Sequence, residues 1–202
     1  MNTNRRDGTI AAIFPILMPG EVFQSITFRL YDSMTPELLV KWKQELAREL
    51  EQVEDSLRWR IEAYLDRGCG ACHLSDIRIA NLVQNALLHF DGDRYRLFAW
   101  VLMPNHVHML AAPCYANSLS DIMHSIKSYT AQEANKILEG KGRFWFEDYF
   151  DRYIRNAKHF ENAVSYIESN PVRAGLCGSA GEWRFGSAWF RAREAPSSRG
   201  GV

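Results

Sequence analysis

The stretch YRLFAWVLMPNHVHMLAA, Tyr95–Ala112, carries the information that decides the fold of this chain. Its first nine residues, Tyr95–Met103, are almost all aromatic or aliphatic, the composition of a strand buried in a sheet. Pro104 and Asn105 interrupt the run: Pro104 has no amide hydrogen to give to a ladder, and both residue types favour turns. His106–Ala112 (HVHMLAA) then resumes it, so the two halves read as an antiparallel hairpin. Side chains alternate between the two faces of a strand. His106 and His108 therefore share one face, and Val107 and Met109 point the other way.

Before the hairpin, Val22–Leu30 (VFQSITFRL) mixes Val, Phe, Ile and Thr and reads as the first strand. Thr35, followed by Pro36 and Glu37, is a candidate N-cap for a helix running from Pro36 to Leu65, which Gly68 and Gly70 stop. Ser75 and Asp76 open a second helix, Ile77–Phe90, with Ile79, Leu82, Val83, Ala86 and Leu87 on one face. After the hairpin, Ser118–Leu138 is a helix with Ile122, Met123, Ile126, Tyr129 and Ala134 as core positions, ended by Gly140 and Gly142. Phe144–Ile154 reads equally as strand or irregular segment. Lys158–Ser169 is a further helix, which Asn170-Pro171 stops. The segment after Gly178 reads as loop, residues 1–20 as an N-terminal arm and residues 191–202 as a disordered tail, leaving 21–190 as one folded domain. The order β, long α, α, β, β, α, (β), α predicts an α+β fold: an antiparallel sheet covered by helices, similar to a ferredoxin-like unit.

Composition narrows the function classes. Lys and Arg total 24 and Asp and Glu total 24, so the chain is not the uniformly basic type of nucleic-acid binder. Binding depends on where charge clusters, and Arg143, Arg152, Arg155, Lys158 and Arg173 are close enough in sequence to form a local strip. No apolar run reaches the roughly 18 residues of a membrane span, and Pro15 and Pro19 break the short apolar segment behind Arg5 and Arg6. A cytoplasmic location with reduced cysteines is the expectation. Cys69-Gly70-Ala71-Cys72-His73 has the spacing of a haem attachment site, but no export signal or axial ligand accompanies it. A zinc site would need a second cysteine pair, and Cys114 and Cys177 are isolated. Cys69, Cys72 and His73 are read as a loop.

The chemistry lies in the His106-Val107-His108 pair. Two adjacent imidazoles lose hydration when buried and repel when charged; a divalent cation between them answers both problems. The alternative is a pair of surface or hydrogen-bonded histidines. Tyr166 and Asn170 are four residues apart and so share a helical face. Two His and an amide oxygen leave coordination positions open for a phosphate oxygen, which a neighbouring phenolate could attack at phosphorus. On spacing alone Tyr166 reads first as an amphipathic core residue beside Val164 and Ile167.

Four segments together, LFAWVLMPNHVHML (Leu97–Leu110), SIKSYTAQEAN (Ser125–Asn135), FWFEDYFDRYIRN (Phe144–Asn156) and HFENAVSYIESNPVRAGL (His159–Leu176), resemble the REP-associated tyrosine transposases, part of the single-tyrosine HUH transposase superfamily of insertion sequences. The resemblance runs from about Val22 to Trp189 and makes 21–190 the catalytic domain. It implies that His106 and His108 are metal ligands, that Tyr166 is the catalytic nucleophile, and that Asn170 supplies a third ligand. It also implies cleavage and rejoining of single-stranded DNA at hairpin palindromes through a 5′-phosphotyrosine link, with Mg2+ or Mn2+ as cofactor. Lys127, Arg152, Arg155 and Arg173 are the DNA-binding candidates, and Tyr129 falls at a packing position. Phe146 stands where family members carry glutamine. The expected partner is single-stranded hairpin DNA, with no membrane and no protein partner, and the chain acting as monomer or homodimer. A relaxase or replication initiator and a non-catalytic nucleic-acid-binding module are the alternatives. A small phosphoesterase is set aside, because position 110 is Leu and no second H-x-T element is present.

Overall fold

The structure, a computed structural model, describes residues 21–46, 53–114 and 116–194. The arm over residues 1–20 and the segment 195–202 lie outside the described residues. Four strands, β1 (Gln24–Arg29), β2 (Tyr95–Leu102), β3 (His106–Pro113) and β4 (Phe150–Tyr153), form one sheet in the order β2-β3-β1-β4. Every pairing is antiparallel. The first and third strands are thus neighbours, the arrangement of a split βαβ unit and the fold class read from the sequence. Among the described residues six helices accompany the sheet: α1 (Pro36–Leu46), α2 (Val53–Leu65), α3 (Ile77–His89), α4 (Leu119–Ile137), α5 (Ala157–Arg173) and α6 (Ser187–Glu194).

Local chemistry sets the boundaries. The Met103 amide donates to the His106 carbonyl at 2.8 Å, closing the hairpin around Pro104 and Asn105. The Asp76 carboxylate caps α3 by accepting from the Arg78 amide at 2.9 Å, and the Ser118 hydroxyl caps α4 by accepting from the Asp121 amide at 3.0 Å.

The sheet sorts its side chains by face. Ile26, Phe28, Val107, Met109 and Ala111 pack with Ile79, Val83 and Leu87 of α3 and Ile122, Met123 and Ile126 of α4. On the other face, Phe23, Val101, Met103, Leu110 and Ala112 pack with Phe160, Val164 and Ile167 of α5. His106 and His108 open onto this second face, opposite Arg29 and Thr27 of β1 in the register. α2 lies on the same side, because Arg58 reaches Ser25 Oγ at 3.5 Å.

Of the helix expected from Pro36 to Leu65, α1 and α2 are helical, and residues 47–52 between them lie outside the described residues. Other expectations are corrected. The helix expected to end at Ser169 continues to Arg173 through Pro171. Pro171 gives up its own N–H, but in this last turn the Asn170 carbonyl is still satisfied by the Ala174 amide at 2.9 Å. The segment after Gly178 is not loop: a 3-10 turn, Ala180–Glu182, leads into α6, so residues 191–194 are helical. Long-range contacts hold it there: the Leu102 amide donates to the Phe185 carbonyl at 2.8 Å, and Phe190 packs on Trp100 with ring centroids 5.3 Å apart. Phe144–Ile154 is irregular at first and then strand, with Phe144 and Trp145 buried before β4 begins. Tyr129 is not a core residue but 54% exposed; its neighbour Thr130 is buried instead and accepts a hydrogen bond from Trp145 Nε1 at 2.9 Å. No helix among the described residues is long and apolar enough to cross a membrane.

Candidate active site

β3 holds the two imidazoles with their Nε2 atoms 3.0 Å apart and their ring planes at 86°. Both are buried, as is Asn170. Neighbouring groups dictate which nitrogen carries each proton. The Asn105 amide nitrogen donates to the Cys69 carbonyl at 2.8 Å, so its oxygen is the atom facing His106 Nδ1 at 2.7 Å and must accept from it. The proton of His106 is therefore on Nδ1, and its Nε2 presents a lone pair. His108 Nδ1 lies 2.8 Å from the Thr27 hydroxyl, and Asn170 Nδ2 donates to His108 Nε2 at 3.3 Å, which leaves His108 in the same state. The His106 Nε2 lone pair thus faces His108 Nε2, whose own lone pair accepts from Asn170.

More acceptors face the same space. Asp66, from the end of α2, places Oδ1 3.7 Å from His106 Nε2. Asp66 Oδ1 and Asn170 Oδ1 are both buried without any hydrogen-bond partner. One ligand atom from each of Asp66, His106 and His108 lies within 4.8 Å of the others. Asp66 Oδ1 and the His106 Nε2 lone pair face one another with no donor between them, an arrangement that a cation accommodates. The 3.0 Å separation of the two nitrogens is short enough for both to serve one cation.

Electrostatics agree. Burial, reinforced by His108, holds His106 well below the usual imidazole range, against an opposing pull from Glu62. Burial together with the charges of Arg58 and Arg173 pushes His108 down to about 3. Both rings are neutral at pH 7, as metal ligation requires. Burial also raises the Asp66 carboxyl to about 6; Arg173 opposes that shift and Glu62 adds to it.

Tyr166 sits beside this cluster. Its ring lies 5.7 Å from that of His108, centroid to centroid, at an interplanar angle of 80°. Its hydroxyl donates to Glu62 Oε2 at 2.8 Å, and Arg58 Nε holds the other carboxylate oxygen at 2.9 Å. The Arg173 guanidinium lies over the phenol face, 4.6 Å from the centroid. Burial first, then the Glu62 charge, raises the phenol above its ordinary pKa.

The structure thus brings His106, His108, Asn170, Tyr166 and Arg173 together. Arg152 and Arg155 are exposed on the rim, where their charges and that of Arg58 depress His159 after burial has done so. Lys127 is apart from the group: it lies on α4, which packs on the opposite face, and its ammonium donates to the Glu147 carbonyl at 2.5 Å. Phe146 is covered by the Arg29 guanidinium, 3.7 Å from its ring centroid. Glu62 and Asp66 went unread in the sequence. Their only signal is i,i+4 spacing at the end of a charged helix, which many solvated faces share.

Residues 77–170 match the family model "Transposase IS200 like". The chain is similar to the REP-associated tyrosine transposase of Escherichia coli (strain K12), 26% identical over 106 residues that make up 52% of this chain and 61% of that relative. This chain thus spans about three-fifths of the length of that curated relative. A solved structure described as the REP-associated tyrosine transposase bound to a REP hairpin superposes with a TM-score of 0.53, covering 96% of this chain and 87% of that one. At 17% identity this likeness speaks for the fold.

Proposed function

We propose that this chain cuts and rejoins single-stranded DNA at hairpin palindromes, using Tyr166 as nucleophile and a divalent ion held by His106, His108 and Asn170, with Asp66 as a further ligand. One observation carries the reading: α5 brings the Tyr166 phenol against a buried, neutral imidazole pair and, one turn later, brings Asn170 to the same pair. The transposase family match and the hairpin-bound relative favour DNA as substrate. The bound ion, Mg2+ or Mn2+, would withdraw charge from the scissile phosphate. Tyr166 attacks phosphorus, a 5′-phosphotyrosine forms, and the 3′ oxygen leaves as a hydroxyl after taking a proton. The new ester conserves the energy of the broken one, so the 3′-hydroxyl can reverse the step without ATP. Arg173, over the phenol, favours its anionic form and offers a cation to phosphate. Arg152 and Arg155, both exposed, would contact the DNA backbone.

A labelled single-stranded hairpin oligonucleotide incubated with Mn2+ or Mg2+ tests this on a denaturing gel. The wild-type chain is expected to form a covalent protein–DNA adduct that Tyr166→Phe abolishes. DNA retained without an adduct would mark a binding module instead. Free cleaved product that survives Tyr166→Phe would mark a hydrolase.

A further inference from the structure

A tyrosine nucleophile must lose its proton before or during attack. The Tyr166 hydroxyl has a defined acceptor. Glu62 Oε2 lies 2.8 Å away, and the Glu62 side chain is only 11% exposed. Arg58 fixes it from one turn earlier on α2, and Asp66 stands one turn later, so three successive turns of one helix hold a clamp, an acceptor and a candidate ligand. The imidazoles are not alternatives. Their Nδ1 atoms are committed to Asn105 and Thr27, and their Nε2 atoms face each other and Asp66.

From the 2.8 Å contact, the burial of Glu62 and its Arg58 clamp, we infer that Glu62 is the proton acceptor for Tyr166, a further catalytic residue of the strand-transfer reaction. The inference rests on the function proposed above. In cleavage, the phenol proton passes to Glu62 Oε2 as the bond from Tyr166 Oη to phosphorus forms. The bond from phosphorus to the 3′ oxygen breaks, its electron pair stays on that oxygen, and solvent water supplies the proton. In rejoining, the 3′-hydroxyl gives its proton to solvent, and the protonated Glu62 returns one to the departing phenolate. No oxidant or further reactant enters, and Glu62 ends each cycle as it began.

Single-turnover adduct formation on a hairpin oligonucleotide, with Mn2+ present, is the assay. Glu62→Gln, which keeps the shape and loses the base, is expected to slow the adduct on the order of 10²–10⁴-fold while hairpin retention and the circular dichroism spectrum stay unchanged. Glu62→Ala should be equally slow and should regain rate as formate is added, a rescue that a merely structural carboxylate would not allow. Glu62→Asp, with the carboxylate set back by one methylene, should fall between. If Glu62→Gln folds and forms adduct at the wild-type rate, Glu62 is not the acceptor. Slow variants that formate leaves unmoved overturn proton transfer as well. No adduct from the wild-type chain would instead bring down the tyrosine-transfer reading, and this inference with it.

Discussion

Stripping divalent ions from the protein and then returning Mn2+ interrogates the acceptor-rich pocket directly. Without an ion, Asp66 Oδ1 and Asn170 Oδ1 are buried with no partner. A buried polar atom left unsatisfied costs about 1–3 kcal/mol, so the pair costs on the order of 2–6 kcal/mol, which a bound cation recovers. For a chain of 202 residues, one kcal/mol moves the melting temperature by about 2–4 °C. Saturating Mn2+ should therefore raise Tm by about 4–24 °C over the EDTA-treated protein, a range that includes the roughly 5–11 °C expected from about 2.7 kcal/mol at a hundredfold excess over Kd. Differential scanning calorimetry at pH 7.5 measures it, with a His106→Ala/His108→Ala variant as control. A Tm that ignores both Mn2+ and Mg2+, or one that rises equally in the control, would refute the assignment of these atoms as a cation site.

Other outcomes follow from the same geometry. Asn105→Ala removes the acceptor that fixes the proton on His106 Nδ1, and should weaken Mn2+ binding about 10–100-fold in calorimetric titration while leaving the fold intact. His106 and His108 have folded-state pKa values below their unfolded ones, so their contribution to stability is present above pH 6.5 and is lost as pH falls from there toward 3. Acid unfolding followed by circular dichroism should show that loss, and His108→Gln should flatten it. Asp66 runs the opposite way: its raised carboxyl opposes folding as pH climbs through about 6, so Asp66→Asn should raise the ion-free Tm at pH 8 while reducing the gain from Mn2+. Replacing Arg152 and Arg155 by Gln should lower the slope of log affinity against log salt by about 1–2 in fluorescence anisotropy; an unchanged slope would place the DNA elsewhere.

Strands and caps were largely legible in the sequence, because they follow from local rules. Alternation put His106 and His108 on one face, Pro104-Asn105 marked the turn, and Asp76 and Ser118 announced their helices. The misreadings have two sources, one local and one between segments far apart in the chain. Pro171 looked like a terminator, yet the turn around it is closed by amides further along, at Ala174 and Leu176. α6 shows no periodic signal and exists because its aromatic residues meet Trp100. In the site, the pairing of His106, His108, Tyr166 and Asn170 was readable from spacing and resemblance. Glu62 and Asp66 were not, since nothing local distinguishes a carboxylate aimed at a buried phenol from one in water until the sheet brings α2 and α5 together.

α5 is a single helix of 17 residues, unbroken at Pro171, and it bears both Tyr166 and Asn170. A rod of this kind shifts as one piece, so the Tyr166 hydroxyl and the Asn170 amide advance or retreat in step. On the function proposed above, a DNA end esterified to Tyr166 would be cargo on that rod. Carrying a severed strand away from the site and loosening the grip on an ion would then be one displacement, and a force that tilts α5 would drive both.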